Sequence, residues 1–333
     1  MARIEDILLK IAERARKRDV TANAESAEDD ASGFPNKARS ASEDLKGTSL
    51  LDETVQQGTV DSQRADIAVL VALPNPELDQ VLRTLGSEWR KEGREGIVFN
   101  TTALQMGERS LSVVATVQND MGMVPAAILA TKAIRAWHPR LLAMTGICAG
   151  VKEKVNLGDI VVGKHLFDYG SGKLKDGKLL PDYHPIPMDD SLCGYAIDHA
   201  SNKSVLDSIR KEWPLDTGKP DTDLHAHVGA MASGAAVVSD DTVVEGIQKH
   251  KRSLTAVDME SYGVARAAHS AGSSPTPFII VKGVQDFADA TKGDQFREYA
   301  AFVSARFLRT FIETYWDHIM KRDAQLTRGW SLR

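Results

Sequence analysis

The chain has 333 residues, a formal net charge of −5, 42% hydrophobic residues and two cysteines, Cys148 and Cys193. That length holds one large domain with an appendage, or two domains; the acidic balance argues against a general nucleic-acid partner, and two thiols cannot build a disulfide framework and fit a reducing, cytoplasmic setting. No apolar run approaches the roughly 20 residues of a membrane span, and Glu5 and Asp6 interrupt the first apolar stretch, so it does not read as a secretory signal.

Residues 4–18 carry Ile4, Ile7, Leu8, Ile11 and Ala15 at helical spacing, with a basic end from Arg14 to Arg18. This predicts an amphipathic helix over 1–18, for docking a protein partner or self-assembly, or for folding back on its own domain. From 19 to 64 the composition turns to Ala, Ser, Asp, Glu, Gly and Thr, which predicts a flexible acidic linker. A folded domain is expected over 65–320, followed by a tail at 321–333.

Within that domain, residues 66–73 predict a buried strand and 77–85 a helix. Residues 98–104 and 109–117 alternate as a hairpin. A turn at Met121-Gly122 precedes an apolar helix that ends near Trp137, before Pro139. Strands are predicted at 141–145 and 159–167. A long polar loop is expected over 168–188, then one helix or two over 191–213, and a second loop at 216–223. Strand 228–238, helix 240–250, strand 255–257 and a helix opened by Glu260 follow. The run Phe278–Val281 behind Pro277 reads as a strand buried on both faces and leading to Asp286. Residues 295–319 then form a long amphipathic helix. Alternating strands and helices imply an α/β fold, a central mixed sheet flanked by helices.

Ligands of open α/β sheets collect at the carboxyl ends of strands. A carboxylate there among apolar neighbours, as Asp286 would be, is a candidate general acid; the plain alternative is a helix cap. Glu260 is likewise either a first-turn acid or a ligand group. The strings VDMES at 257–261 and VKGVQDFAD at 281–289 decide the matter, because together they resemble the nucleoside phosphorylase and nucleosidase superfamily, with the methylthioadenosine/S-adenosylhomocysteine nucleosidase branch the nearest likeness. The resemblance covers about residues 66–318 and leaves out the N-terminal helix and linker.

The resemblance implies the following roles. Asp286 matches the acid that protonates the purine, with Phe287 beside it and Gln285 where the family carries serine. Glu260 matches the glutamate that accepts from the ribose hydroxyls, and Met259 the methionine under the sugar. Glu77 looks like the glutamate that positions the attacking water, in a segment one residue longer than the family's; a surface glutamate at a helix start is the alternative. Residues 145–150, TGICAG, resemble a loop that lies along the base, bringing Cys148, Ala149 and Gly150 to it. Residues 233–238 resemble a segment whose aromatic stacks on adenine; here Val237 replaces the aromatic and Val238 follows. Cys148 has no companion His by motif and reads as an inert thiol.

Phosphorylases of the superfamily hold phosphate with arginines after the first strand and near the next glycine turn. Residues 74–78 contain no base, so hydrolysis is favoured over phosphorolysis. The expectation is a purine N-ribosyl hydrolase, acting on an adenine nucleoside or nucleotide, with no metal and no organic cofactor. A role as a nucleotide-depleting defence effector and assembly as a homo-oligomer follow from the resemblance. A phosphorylase, or a non-catalytic nucleotide-binding adaptor, is the alternative. His225 and His227 alternate on one strand face without a Cys or acid cluster in metal-ligand spacing. Lys173, Lys175 and Lys178 read as a solvated run or as contacts to a 5′-phosphate.

Overall fold

The computed structural model describes residues 64–330 except 237, 239, 240, 273 and 290–292, and at 241 and 322–330 the backbone alone. The predicted helix at 1–18 and the linker to residue 63 lie outside these described residues.

Chain segments rich in Val, Ile, Leu and Ala make the centre of the sheet. Strand β1 (Ile67–Val71) is buried at every position. It lies parallel between β4 (Arg109–Val117) and β5 (Leu141–Gly150), and β5 in turn pairs in parallel with β12 (Phe278–Asp286). Such all-buried strands are expected of parallel sheet covered on both faces. β12 runs antiparallel to β6 (Ile160–Asp168), β6 parallel to β10 (Ala226–Ser233), and β10 parallel to β11 (Leu254–Asp258). β11 returns to pair with the end of β5, Val257 opposite Ala149. Five strands therefore close a ring. β1, β4, β3 (Ile97–Met106) and β2 (Arg90–Arg94) extend from it as an open wing.

One face is covered by α1 (Asp79–Leu85), α3 (Asp190–Ala200), α4 (Lys203–Lys211) and α7 (Arg297–Trp330), whose Phe307, Phe311 and Trp316 are buried with Ile67, Leu141 and Ile279. The other face carries α2 (Met123–Trp137) and α6 (Ser261–His269) over Ala68, Leu142 and Ile280. Helix α5 (Asp241–His250) packs on the outer strands through Val244 and Ile247. The mixed sheet flanked by helices is as the sequence predicts.

Four local expectations change. β5 runs through Gly150, so residues 145–150 are strand and not loop; small residues hide the strand signal there. The region 168–188 is not one loop, because β7 (Gly172–Lys175) and β8 (Lys178–Pro181) form a hairpin and β9 (Ile186–Pro187) pairs with β6. β10 ends at Ser233, not 238. α7 continues to Trp330, beyond residue 319.

Candidate active site

The carboxyl ends of β1, β5, β11 and β12 meet around a cavity of about 290 Å³. Glu77, Cys148, Ala149, Val238, Met259, Glu260 and Asp286 all line it, together with Asp258, Gln285 and Arg297. The ring closure places them: β5 is held against both β12 and β11, so residues more than a hundred positions apart share one crevice. Gly150 is buried in the β5 wall, and Phe287 is half-buried against the α2/α6 side of the core. Val237 lies outside the described residues.

Glu77 follows β1 in the turn Pro74–Leu78 and is 2% exposed. It is no surface helix-start acid. Its Oε2 accepts from the backbone N–H of Ala72 at 2.7 Å and Leu73 at 2.9 Å, and its Oε1 from that of Ile147 at 2.9 Å. Three backbone N–H groups thus hold the carboxyl group in one orientation. Gly146 makes room for this clamp: its φ is +149°, and a Cβ there would stand 2.2 Å from Glu77 Oε1.

Glu260 sits where α6 begins, yet its side chain does not cap that helix. Oε1 accepts from the N–H of Gly122 at 3.0 Å and from Gln118 Nε2 at 3.3 Å. Burial pushes its carboxyl above the ordinary glutamate range; Lys282 opposes this, and Asp258 adds to it. Asp258 is itself saturated. Its Oδ1 accepts from Ser233 Oγ at 2.6 Å, both oxygens accept from Ser261, and Lys282 Nζ stands 3.5 Å from Oδ2. Lys282 is completely buried behind the cavity wall. Burial works against its charge, but Asp258, Glu77 and Glu260 outweigh that and hold the ammonium above the ordinary lysine range.

Asp286 is the last residue of β12, and among the described residues the next helix begins at Arg297, so Asp286 is not the cap of a helix described there. Its Oδ1 accepts from the N–H of Ala288 at 2.9 Å and its Oδ2 from Gln285 Nε2 at 2.8 Å. Gln285, where the resemblance has serine, thus supplies a donor to the acid. Burial pushes the Cys148 thiol well up, with Asp258 adding to the effect, which suits an inert thiol and not a nucleophile.

A sequence model of the phosphorylase superfamily matches residues 66–313. The chain belongs to the phosphorylase superfamily. It is 32% identical over 247 residues to the uncharacterized protein y4jS of Sinorhizobium fredii, covering 72% of this chain and 59% of that protein. It is 26% identical over 263 residues to the ATP nucleosidase Cap17 of Escherichia coli, covering 75% of this chain and 51% of Cap17. The chain thus spans only about half the length of these relatives. Among solved structures, the 5′-methylthioadenosine/S-adenosylhomocysteine nucleosidase of Helicobacter pylori superposes with a TM-score of 0.60 at 20% identity, over 76% of this chain and 99% of that one.

Within this superfamily fold, the structure adds residues that the sequence reading did not single out. Lys282 has a signal, a lysine inside an otherwise apolar strand, which is rarely buried without a partner. Asp258 stands in the quoted VDMES string. Gln118 and Arg297 have none: only the fold brings them to Glu260 and to the cavity. His225 and His227 meet a single acid. Fully buried Asp159 lies 2.9 Å from His227 Nε2 and accepts the backbone N–H of His225 at 3.1 Å. Neither histidine lines the cavity. Lys173, Lys175 and Lys178 are exposed on the β7–β8 hairpin and do not line it either. Among the described residues no cluster of His, Cys, Asp and Glu is arranged to hold a metal, and no helix is long and apolar enough to cross a membrane.

Proposed function

We propose that this protein hydrolyses the N-ribosidic bond of a purine nucleoside or nucleotide, with adenine the expected base. The observation that carries the reading is the convergence of Glu77, Glu260 and Asp286 in one cavity, each oriented by its own protein donors. Asp286 gives a proton to N7 as the bond between C1′ and the base breaks and its electron pair moves onto the base. Glu260 accepts from the ribose hydroxyls; no described protein donor meets its Oε2. Anionic Glu260 favours the positive charge that develops on the ring more in the transition state than before it. Met259 packs beneath the sugar. Water held on Glu77 then adds its oxygen to C1′ and gives up one proton to the Glu77 carboxylate as the new C–O bond forms. Two differently held carboxylates on either side of a glycosidic bond follow the logic of sugar hydrolysis in general.

Similarity to Cap17 and to the thioether nucleosidases supports the reaction class. Self-association belongs to the proposal as well: Met121 lines the cavity and is exposed, and Val124 and Ile128 of the helix that follows it, α2, are exposed too. The test is release of free base from adenosine, methylthioadenosine, AMP and ATP, with and without inorganic phosphate, followed by chromatography. Phosphate-independent release is the expected result. Release that requires phosphate would make the protein a phosphorylase, and binding without release a nucleotide-binding adaptor.

A further inference from the structure

The reaction proposed above leaves one cation of the cavity without a task. Arg297 opens α7 and lines the same cavity as Glu260 and Asp286. Its ion-pair partner among the described residues is Asp294, whose Oδ1 is 3.7 Å from Nη1, beyond hydrogen-bond length, and whose side chain is 76% exposed. The Nε of Arg297 is buried and meets no acceptor. A guanidinium has five N–H donors and cannot shed its charge.

Asp294 also lines the cavity and pairs with Arg297 only at 3.7 Å; the cavity's other four carboxylates have donors of their own. Glu77 is clamped by three backbone N–H groups. Asp258 has Ser233, Ser261 and Lys282, Glu260 has Gly122 and Gln118, and Asp286 has Ala288 and Gln285. Arg297 is therefore a positive fork that faces the cavity with donors to spare. An incoming anion with paired oxygens is what such a fork recognises, and a phosphoryl group is that anion. The first turn of the long helix α7 contributes partial positive charge to the same place.

A nucleoside seated with its base on Asp286 and its ribose hydroxyls on Glu260 has one arm left, the 5′ substituent. We infer that Arg297 is the subsite for a phosphoryl group at that 5′ position, so that the substrate class is a nucleoside 5′-phosphate and not an uncharged nucleoside or thioether. This rests on the N-ribosyl hydrolase reading. The exposed lysines of the β7–β8 hairpin, which do not line the cavity, are not needed for it.

Free inorganic phosphate offers the same chemistry, and the experiment separates the two sources. The full chain, Arg297→Met and Arg297→Lys are assayed on adenosine, methylthioadenosine and AMP, with and without inorganic phosphate, and AMP and adenosine binding are measured by calorimetry. The expected result is a kcat/KM at least tenfold higher for AMP than for adenosine. Arg297→Met should shrink that ratio about 10- to 100-fold, the range for a lost hydrogen bond to a charged group, and Arg297→Lys should recover part of it. A ratio that Arg297→Met leaves intact overturns the inference. So does a wild-type preference for methylthioadenosine, or an Arg297 effect seen only as lost dependence on inorganic phosphate. If no substrate is cleaved, the hydrolase reading fails by itself. Calorimetry then decides the subsite: AMP bound more tightly than adenosine, with the difference lost in Arg297→Met, supports it, and equal binding overturns it.

Discussion

Asp159 and Asp286 are both buried carboxylates beside the same stretch of β12, yet they are built differently. Asp159 precedes β6, whose Ile160 pairs with Gly283, and it is fully buried. Its oxygens accept from the N–H groups of Asn156 and His225, and His227 Nε2 lies 2.9 Å from Oδ2. It faces only protein and binds the start of β6 to the start of β10. Asp286 ends β12, is 4% exposed, and opens onto a cavity that holds further carboxylates. Burial of an acid does not mark a site. A site has a cavity in front of the acid and protein donors that orient the acid without enclosing it.

The sharpest way to break this comparison is to neutralise each acid in turn. Asp286→Asn is expected to lower the rate of base release about 10²- to 10⁴-fold, the usual worth of a positioned proton donor, while the thermal midpoint stays near wild type. Asp159→Asn should do the reverse. It costs about 1–3 kcal/mol of stability, because a carboxylate that accepts several bonds becomes an amide with a misplaced donor, and the rate per folded molecule is kept. Urea unfolding and chromatographic base release on both variants read the two effects. A pair of variants that lose activity and stability in parallel would erase the distinction.

Lys282 tests the comparison from the charge side. Removing its ammonium leaves Asp258 as a buried charge short of its cation, so Lys282→Met is expected to cost about 3–5 kcal/mol in urea unfolding. The double variant with Asp258→Asn should recover part of that loss, because the two residues form one unit. Strict additivity would show that they do not couple.

Glu260 sets the pH response. Burial raises its carboxyl above the ordinary glutamate range, and only the anion accepts both ribose hydroxyls. Activity should therefore fall on acidification at a pH higher than an ordinary glutamate would give. The sign for stability is opposite. A folded-state value above the unfolded one stabilises the fold below the unfolded value, and this is lost as pH rises through the folded value. The acid limb of kcat/KM should thus appear with no loss of fold traceable to this group. Glu260→Gln should abolish that limb and lower kcat about 10²-fold.

The central strands, the helices and the order of the motifs were legible because buried parallel strands and amphipathic helices each leave a periodic apolar pattern. Asp286, Glu260, Met259 and Glu77 were legible through likeness and local position, and the fold gathers them around one cavity. The β7–β8 hairpin was missed although its signal is present: Asp176-Gly177 both adopt positive φ between two short strands. Lysines on that hairpin made it read as a solvated loop. The far half of β5 was missed because Gly146, Ala149 and Gly150 carry no strand preference. What could not be read was pairing across the ring. Gln118 reaches Glu260 over 142 positions and Arg297 enters the cavity from α7, and no local pattern encodes either contact.

The smallest predicted effect concerns Gln285, which departs from the family's serine. Its amide donates to Asp286 Oδ2 at 2.8 Å, but its own Oε1 is buried without a partner. Gln285→Ser removes both features. Losing the donor loosens the orientation of the acid, worth roughly 1 kcal/mol, or about a threefold to tenfold drop in kcat. Losing the orphaned oxygen removes a desolvation cost of about 1 kcal/mol or more, so the variant should unfold at a slightly higher temperature. A variant both slower and more stable would show that this chain holds its acid at some expense to its fold. One as fast as wild type would mean that Asp286 is oriented without Gln285, and that the glutamine serves the cavity wall and not the acid.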